Sequence, residues 1–227
     1  MRTLILSICL LGGLTVAAQN GLKFYTSFQF TNQDRTVSRF EQEDTIRTGT
    51  NKSTNIGGFI PAFSLGSANG SFLEFAITNF RFQNSNQIDL LPGASHPVPG
   101  STTNTSFGVR VEYAYSLFEA NGIRLLAGAA VNPAVSSKHQ IPESSYFYDT
   151  RTSNFTVLLD IVPRIQVDLS ESLFLDLNVP ITLIDWASTS ITYDSSIVPS
   201  APIKQSGSTT LVLPQRVVIR LGLGIRF

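Results

Sequence analysis

Cysteine, methionine and tryptophan each occur once in the 227 residues, histidine twice, and charged residues make up only 14%. The one cysteine, Cys9, lies in an apolar N-terminal segment, so the rest of the chain has neither a disulfide framework nor a thiolate metal site. Sixteen basic residues balance sixteen acidic ones. A formal charge of zero excludes the basic footprint of a nucleic-acid-binding protein. Long apolar runs are missing as well. Although 42% of residues are hydrophobic, no stretch after residue 20 approaches the roughly 20 apolar residues of a spanning helix. There is no phosphate loop and no dinucleotide motif, and the reading calls for no cofactor and no metal.

The N-terminus reads as an export signal, residues 1–18. Met1-Arg2 is a short positive start, residues 4–16 are mostly apolar, and Val16-Ala17-Ala18 offers small residues for cleavage after Ala18. The tetrad Leu6-Ser7-Ile8-Cys9 is a poor lipidation motif, because Ile8 is bulky and the apolar run continues past the cysteine. Residues 19–227 contain no linker and no internal repeat, and are expected to form one all-β domain.

Apolar residues in that domain recur with a period of two. In the last run Val217, Ile219, Leu221, Leu223, Ile225 and Phe227 alternate with residues that, except for Val218, are small or charged: Arg220, Gly222, Gly224 and Arg226. Such alternation gives a strand one apolar and one polar face. It recurs around residues 107–117, 123–131, 155–167 and 173–183, and more faintly at 22–30, 55–66 and 72–82. That makes eight strands, each close to the 9–11 residues of a tilted membrane strand. The terminal strand, with arginines opposite its apolar face and Phe227 at its end, resembles the closing strand of bacterial outer-membrane barrels. Over the whole mature chain the pattern resembles the small OmpA/OmpX-type proteins. The resemblance implies an eight-stranded antiparallel up-and-down transmembrane β-barrel, multi-pass in the cell outer membrane. Its partners would be outer-membrane lipid, lipopolysaccharide and the barrel assembly machinery, which reads Phe227, besides an unidentified extracellular ligand.

Connections near residues 67–70, 118–122 and 168–172 are short, whereas 31–53, 84–104, 135–151 and 185–212 are long and polar. That asymmetry puts the long loops outside the cell. The turn Ser67-Ala68-Asn69-Gly70 suggests that even positions pair with odd ones. Either Phe59 and Phe63, or Leu73, Phe75 and Ile77, would then point inward, and the second group is expected to face lipid. Tyr25, Tyr113, Tyr115, Phe118, Phe155 and Trp186 lie toward strand ends, as interfacial aromatics do.

The inward faces carry Arg110, Glu112, Arg124, Asp160, Arg164, Asp176, Arg216 and Arg220. Buried charges must be paired. A turn centred on Ser170 would set Arg164 opposite Asp176, so the expectation is a salt-bridged interior rather than a water-filled ion path. His96 and His139 fall in expected loops, neither beside a serine on a membrane face, so no catalytic residue is assigned and the chain is read as a non-enzyme. Pro61, Pro163 and Pro180 interrupt strands in a fold with no free edge. They mark bulges or, as in barrels that admit lipid sideways, a gap. Asn51-Lys52-Ser53 and Asn104-Thr105-Ser106 are chance glycosylation triplets. Glu41, Glu43 and Asp44 read as a solvated loop. The functional expectation is a structural or surface-interaction protein acting through its long loops, with a narrow pore or lateral conduit for small or apolar solutes as the alternative.

Overall fold

A computed structural model describes the backbone of residues 20–36, 48–67, 69–88, 98–143, 148–194, 203–213 and 216–227. Side chains are described for 20–29, 59–67, 69–86, 88, 99–143, 148–194, 203–213 and 218–227. The expected signal peptide, His96 and the acidic residues of 41–44 lie outside these residues, as does the side chain of Arg216.

Alternating β-branched and aromatic residues suit a pleated, half-buried surface, and every described element is a strand. In chain order they are β1 (Gly21–Thr36), β2 (Thr48–Gly66), β3 (Phe72–Ile88), β4 (Val98–Ala120), β5 (Ile123–Pro142), β6 (Asp149–Asp168), β7 (Leu173–Asn178), β8 (Ile181–Asp194), β9 (Ile203–Val212) and β10 (Arg216–Arg226). Neighbours run antiparallel, and β1 pairs with β10 over eleven residue pairs, from Gly21↔Arg226 to Thr31↔Arg216. Closure removes the free edges that an open sheet would expose.

The ten segments make eight staves. β7 and β8 both run beside β6 and are parted only by Val179 and Pro180. β9 and β10 together form the next stave, β9 beside β8 and β10 beside β7. The chain is therefore a closed eight-stranded antiparallel barrel.

Residues of one parity face out. Leu22, Phe75, Tyr113, Leu125, Ile161, Leu175 and Leu223 are among the exposed apolar side chains. On β6 the outward row runs from Phe155 to Val167, about 30 Å along the axis at ~3.3 Å per residue and a ~40° tilt. That height equals the hydrocarbon thickness of a bilayer, about 30 Å. Tyr113, Tyr115 and Phe118 ring its short-turn end, and Phe155 meets Trp186 edge to face at 5.7 Å near the other.

Several local expectations are corrected. The first hairpin loop holds five residues, 67–71, because Gly66 pairs with Phe72. Odd positions therefore meet odd ones: Phe63 stands opposite Phe75, and both groups of apolar residues face out. Within the four expected long loops nearly all the described residues are strand. β4 begins at Val98 and β5 reaches Pro142, paired from Gly100↔Pro142 down to the turn. Their Ser- and Thr-rich sequence has no apolar face, but a hairpin in water needs only its ladder and β-compatible residues. At the base of that hairpin Asn121 (φ 51°) and Gly122 (φ 76°) form a two-residue turn with both central residues left-handed, a geometry that favours Asn-Gly.

The prolines divide. Pro163 and Pro180 belong to an interruption of the ladder: β8 shifts register against β6 at Leu159/Asp160, and the Val179 N–H donates to the Pro163 carbonyl at 3.1 Å. The wall stays closed there, as expected of bulges. At Pro61 it does not. β2 pairs with β3 only from Gly66↔Phe72 to Ala62↔Ala76. Beyond Ala62, β2 is paired to β1 alone and β3 to β4 alone. Pro61 adjoins this point and has no N–H to extend a ladder. The result is a seam that begins inside the apolar belt.

Candidate functional site

Midway up the barrel the inward residues form one ion-pair network. Arg164 on β6 is its centre. Its Nη1 donates to Asp176 at 2.7 Å, to the Tyr25 hydroxyl at 2.9 Å and to Glu74 at 3.0 Å. Its Nη2 donates to Glu112 at 2.8 Å and Glu74 at 3.2 Å. Lys23 donates to Glu74 at 2.7 Å, and its ammonium sits 3.7 Å from the centre of the Phe72 ring. Arg110 clasps Glu112 through Nε at 3.0 Å and Nη2 at 2.7 Å, and reaches Asp160 at 3.3 Å. Asn132 donates to Asp160 at 2.8 Å and Gln166 to Asp176 at 2.8 Å. All these side chains are buried.

The local sequence makes room for this packing. A Cβ on Gly128 would stand 2.7 Å from Glu112 Oε1, one on Gly222 would stand 2.3 Å from the Tyr25 ring, and one on Gly224 would stand 2.2 Å from Phe174. Small residues on β5 and β10 thus lie against large interior side chains of their neighbours. Fixed charges with several partners each are what a low-dielectric interior requires.

Of the expected interior charges, Arg110, Glu112, Asp160, Arg164 and Asp176 meet in the network. Arg164 and Asp176 touch, but not as direct cross-strand partners. The pairs are centred on Glu171 rather than on Ser170, with Asp168 meeting Phe174, so Arg164 opposes Asn178 and Asp176 opposes Gln166. A shift of two residues keeps both side chains on the same face, and the pair closes diagonally. Arg124 lies apart at the short-turn mouth, paired at 3.0 Å with the exposed Glu119. Lys23 and Glu74 were missed, and Tyr25 is a network member rather than an interfacial aromatic. Their signal was a polar residue set singly between apolar ones: Leu22-Lys23-Phe24 and Leu73-Glu74-Phe75.

Arg220 breaks the expectation that every interior charge is paired. Among the described residues it makes no ion pair, and its buried Nε has no hydrogen-bond partner. His139 is on β5 rather than in a loop, and its Nε2 lies 2.8 Å from Asp149. Phe227 is exposed, and its N–H donates to the Asn20 carbonyl at 3.0 Å.

Two cavities flank the network and share no lining residue. The one at the short-turn end holds about 230 Å³ and includes Lys23, Arg124 and Phe174. The outer one holds about 530 Å³. Its floor carries Asp160 and Arg220, and its side reaches the seam, where Phe59 and Ile60 of β2 face Thr78 and Phe80 of β3. A bulge between Ile77 and Asn79 shifts the register of β3 there. Phe59 is 71% exposed and Phe80 81%, so the outer lips of the seam are aromatic. Among the described residues no group of three His, Cys, Asp or Glu could hold a metal.

No protein-family model matches the chain, and no curated protein matches it. Among solved structures it is similar to a major outer membrane protein from Thermus thermophilus, with 12% identity over 93% of this chain and 100% of that one, TM-score 0.48. It is also similar to the outer membrane protein AlkL in lipid bilayers, with 13% identity over 92% and 90% of the two chains, TM-score 0.41. A third is the outer membrane protease OmpT from Escherichia coli, with 10% identity over 92% and 96%, TM-score 0.41. At such identities and TM-scores these likenesses carry no argument; the strand pairing itself shows a closed eight-stranded antiparallel barrel, the architecture that the strand pattern of the sequence predicts.

Proposed function

We infer that this chain is an outer-membrane barrel, its long hairpins outside the cell, that takes small apolar or amphipathic solutes into its outer cavity and exchanges them sideways with the bilayer. One observation carries this reading: the β2–β3 ladder ends at Ala62↔Ala76, within the apolar belt and beside the cavity. The ion-pair network argues against a water-filled pore, since eight strands leave little more than side-chain room and here that room is filled. The belt supports contact with outer-membrane lipid and lipopolysaccharide, and Phe227 fits recognition by the assembly machinery.

The test uses Pro61→Thr, which restores an N–H and a β-forming residue at the end of the ladder. Cells displaying the native barrel should take up 1-naphthylphenylamine, a dye that fluoresces in membranes, faster than cells lacking it. The variant should lose most of that gain, and the native protein should give no steady conductance in a planar bilayer. Equal uptake with and without the barrel, or a stable ohmic channel, overturns the reading.

A second reading, a structural or surface-interaction role, is favoured by the length of the hairpins. β4 has 23 residues and β5 and β6 have 20 each, far beyond the 9–11 that cross a bilayer. Shortening the β5–β6 hairpin beyond Ser136↔Asn154 would leave dye uptake intact and remove adhesion if that role is the principal one.

A further inference from the structure

Arg220 is the least explained charge in the molecule. Three interior cations, Lys23, Arg110 and Arg164, already share the four carboxylates Glu74, Glu112, Asp160 and Asp176. Arg220 offsets the remaining negative charge only at a distance. A guanidinium has five N–H donors and no acceptor, and Arg220 has no ion-pair partner among the described residues. Yet it stands on the floor of a cavity of about 530 Å³. A buried donor without an acceptor is costly, and the acceptor that best fits a guanidinium is a planar or tetrahedral oxyanion.

The other linings of the cavity limit what carries that oxyanion. Asp160 is the sole carboxylate there; its Oδ2 accepts from Arg110 and Asn132, and its Oδ1 is a buried acceptor without a partner. Arg81, at the seam, adds a second positive charge. Above Arg220 the wall is polar at Ser27, Gln29 and Thr156, with an apolar strip at Ile60, Leu158 and Val218 that leads to Phe59 and Phe80 at the seam. The site therefore has a guanidinium beside a carboxylate on its floor, an apolar strip on an otherwise polar wall, and an exit at the seam. Its volume falls within the range of small-molecule sites, about 300–1,000 Å³.

We propose that the outer cavity binds a single-chain anionic amphiphile, with Arg220 holding the carboxylate or equivalent head group and the chain lying along the apolar strip of Ile60, Leu158 and Val218 toward the β2–β3 seam. This rests on the lateral-exchange reading and names the substrate class of that same cavity. Arg220 is a binding residue here, and no bond is made or broken.

The experiment measures equilibrium binding to the native barrel in lipid nanodiscs, with empty discs subtracted, for three probes of equal chain length. These are dodecanoate, dodecanol and dodecyltrimethylammonium. The native protein should bind dodecanoate at least about tenfold more tightly than dodecyltrimethylammonium. Arg220→Gln should weaken dodecanoate about tenfold or more, the loss of one charge-assisted contact, and leave dodecanol within about twofold. Arg220→Lys should recover part of the dodecanoate affinity. Heat-modified mobility on a gel checks that each variant is folded, and the native preference among probes stands whether or not the variants fold. Equal binding of dodecanoate and dodecyltrimethylammonium by the native protein overturns the proposal. So does a dodecanoate affinity unchanged in folded Arg220→Gln. If either occurs while dodecanol still binds, lateral exchange stands without an anionic head group. If no probe binds, both fail. Displacement of dodecanoate by phosphatidylglycerol already in the disc would assign the cavity to a resident two-chain lipid and overturn the single-chain assignment.

Discussion

At the scale of single residues, the interior is a set of shared charges rather than separate pairs. Asp176 lies within 3.3 Å of Lys23 and 2.7 Å of Arg164, so replacing Arg164 by leucine leaves three carboxylates short of a cation. We expect Arg164→Leu and Asp176→Leu each to lose roughly 3–5 kcal/mol, and the double variant to lose clearly less than the sum. Urea unfolding in micelles measures both, and strictly additive losses would show that the contact at 2.7 Å contributes nothing specific. That the two side chains meet was legible from parity alone. The register was not, because it depends on whether the turn centres on Ser170 or on Glu171, and the run from Asp168 to Ser172 suits either. Lys23 and Glu74 were legible in principle, each a lone charge amid apolar alternation, but the mispaired first hairpin hid which face they shared. Nothing local marks Arg220 as unpartnered. It alternates as regularly as any paired arginine.

At the scale of elements, β10 shows why its sequence reads as it does. Its interior positions are Gly222 and Gly224 because Tyr25 of β1 and Phe174 of β7 lean over them from either side. Gly224→Val should therefore cost about 1–3 kcal/mol from overpacking against a ring that is itself buried, and Phe174→Leu in the same chain should recover part of it. A fully additive double variant in the same unfolding measurement would refute this account. The alternation in β10 was plain in the sequence, whereas the reason for its glycines lies on neighbouring strands. Polar strands were the least legible elements. A hairpin bathed in water on both sides has no apolar period, so β9, with its Ser-Gly-Ser-Thr-Thr run, reads as loop until its ladder with β8 is seen. The seam is an absence of pairing. Pro61 gave its only local sign, and Pro163 and Pro180 gave the same sign where the wall is closed.

At the scale of the whole molecule, closure was predictable because an apolar belt on short strands has only one way to satisfy its backbone in lipid. The eight staves, their order and the side bearing the long connections follow from turn lengths and period. What the cavities hold does not follow from them. A cavity floor is assembled from β1, β5, β6, β8 and β10, residues far apart in the chain that share nothing except inward parity. The proposed site is a property of that convergence, which only the fold brings together.

The bond from Phe227 to Asn20 and the eleven pairs between β1 and β10 make the barrel a ring in which residues 20 and 227 abut. A ring has no intrinsic first member. Joining residue 227 to residue 20 through a short linker and reopening the chain within 67–71 would give a circular permutant with the same neighbours throughout. Its new ends would flank the weakest junction, the five pairs of β2 and β3. Such a permutant should fold in detergent and keep its heat-modified mobility. Its amide exchange should rise selectively in residues 62–66 and 72–76, while the former ends become the best-protected edge. Loss of folding would mean that the hairpin at 67–71 is the nucleus from which the ring is built.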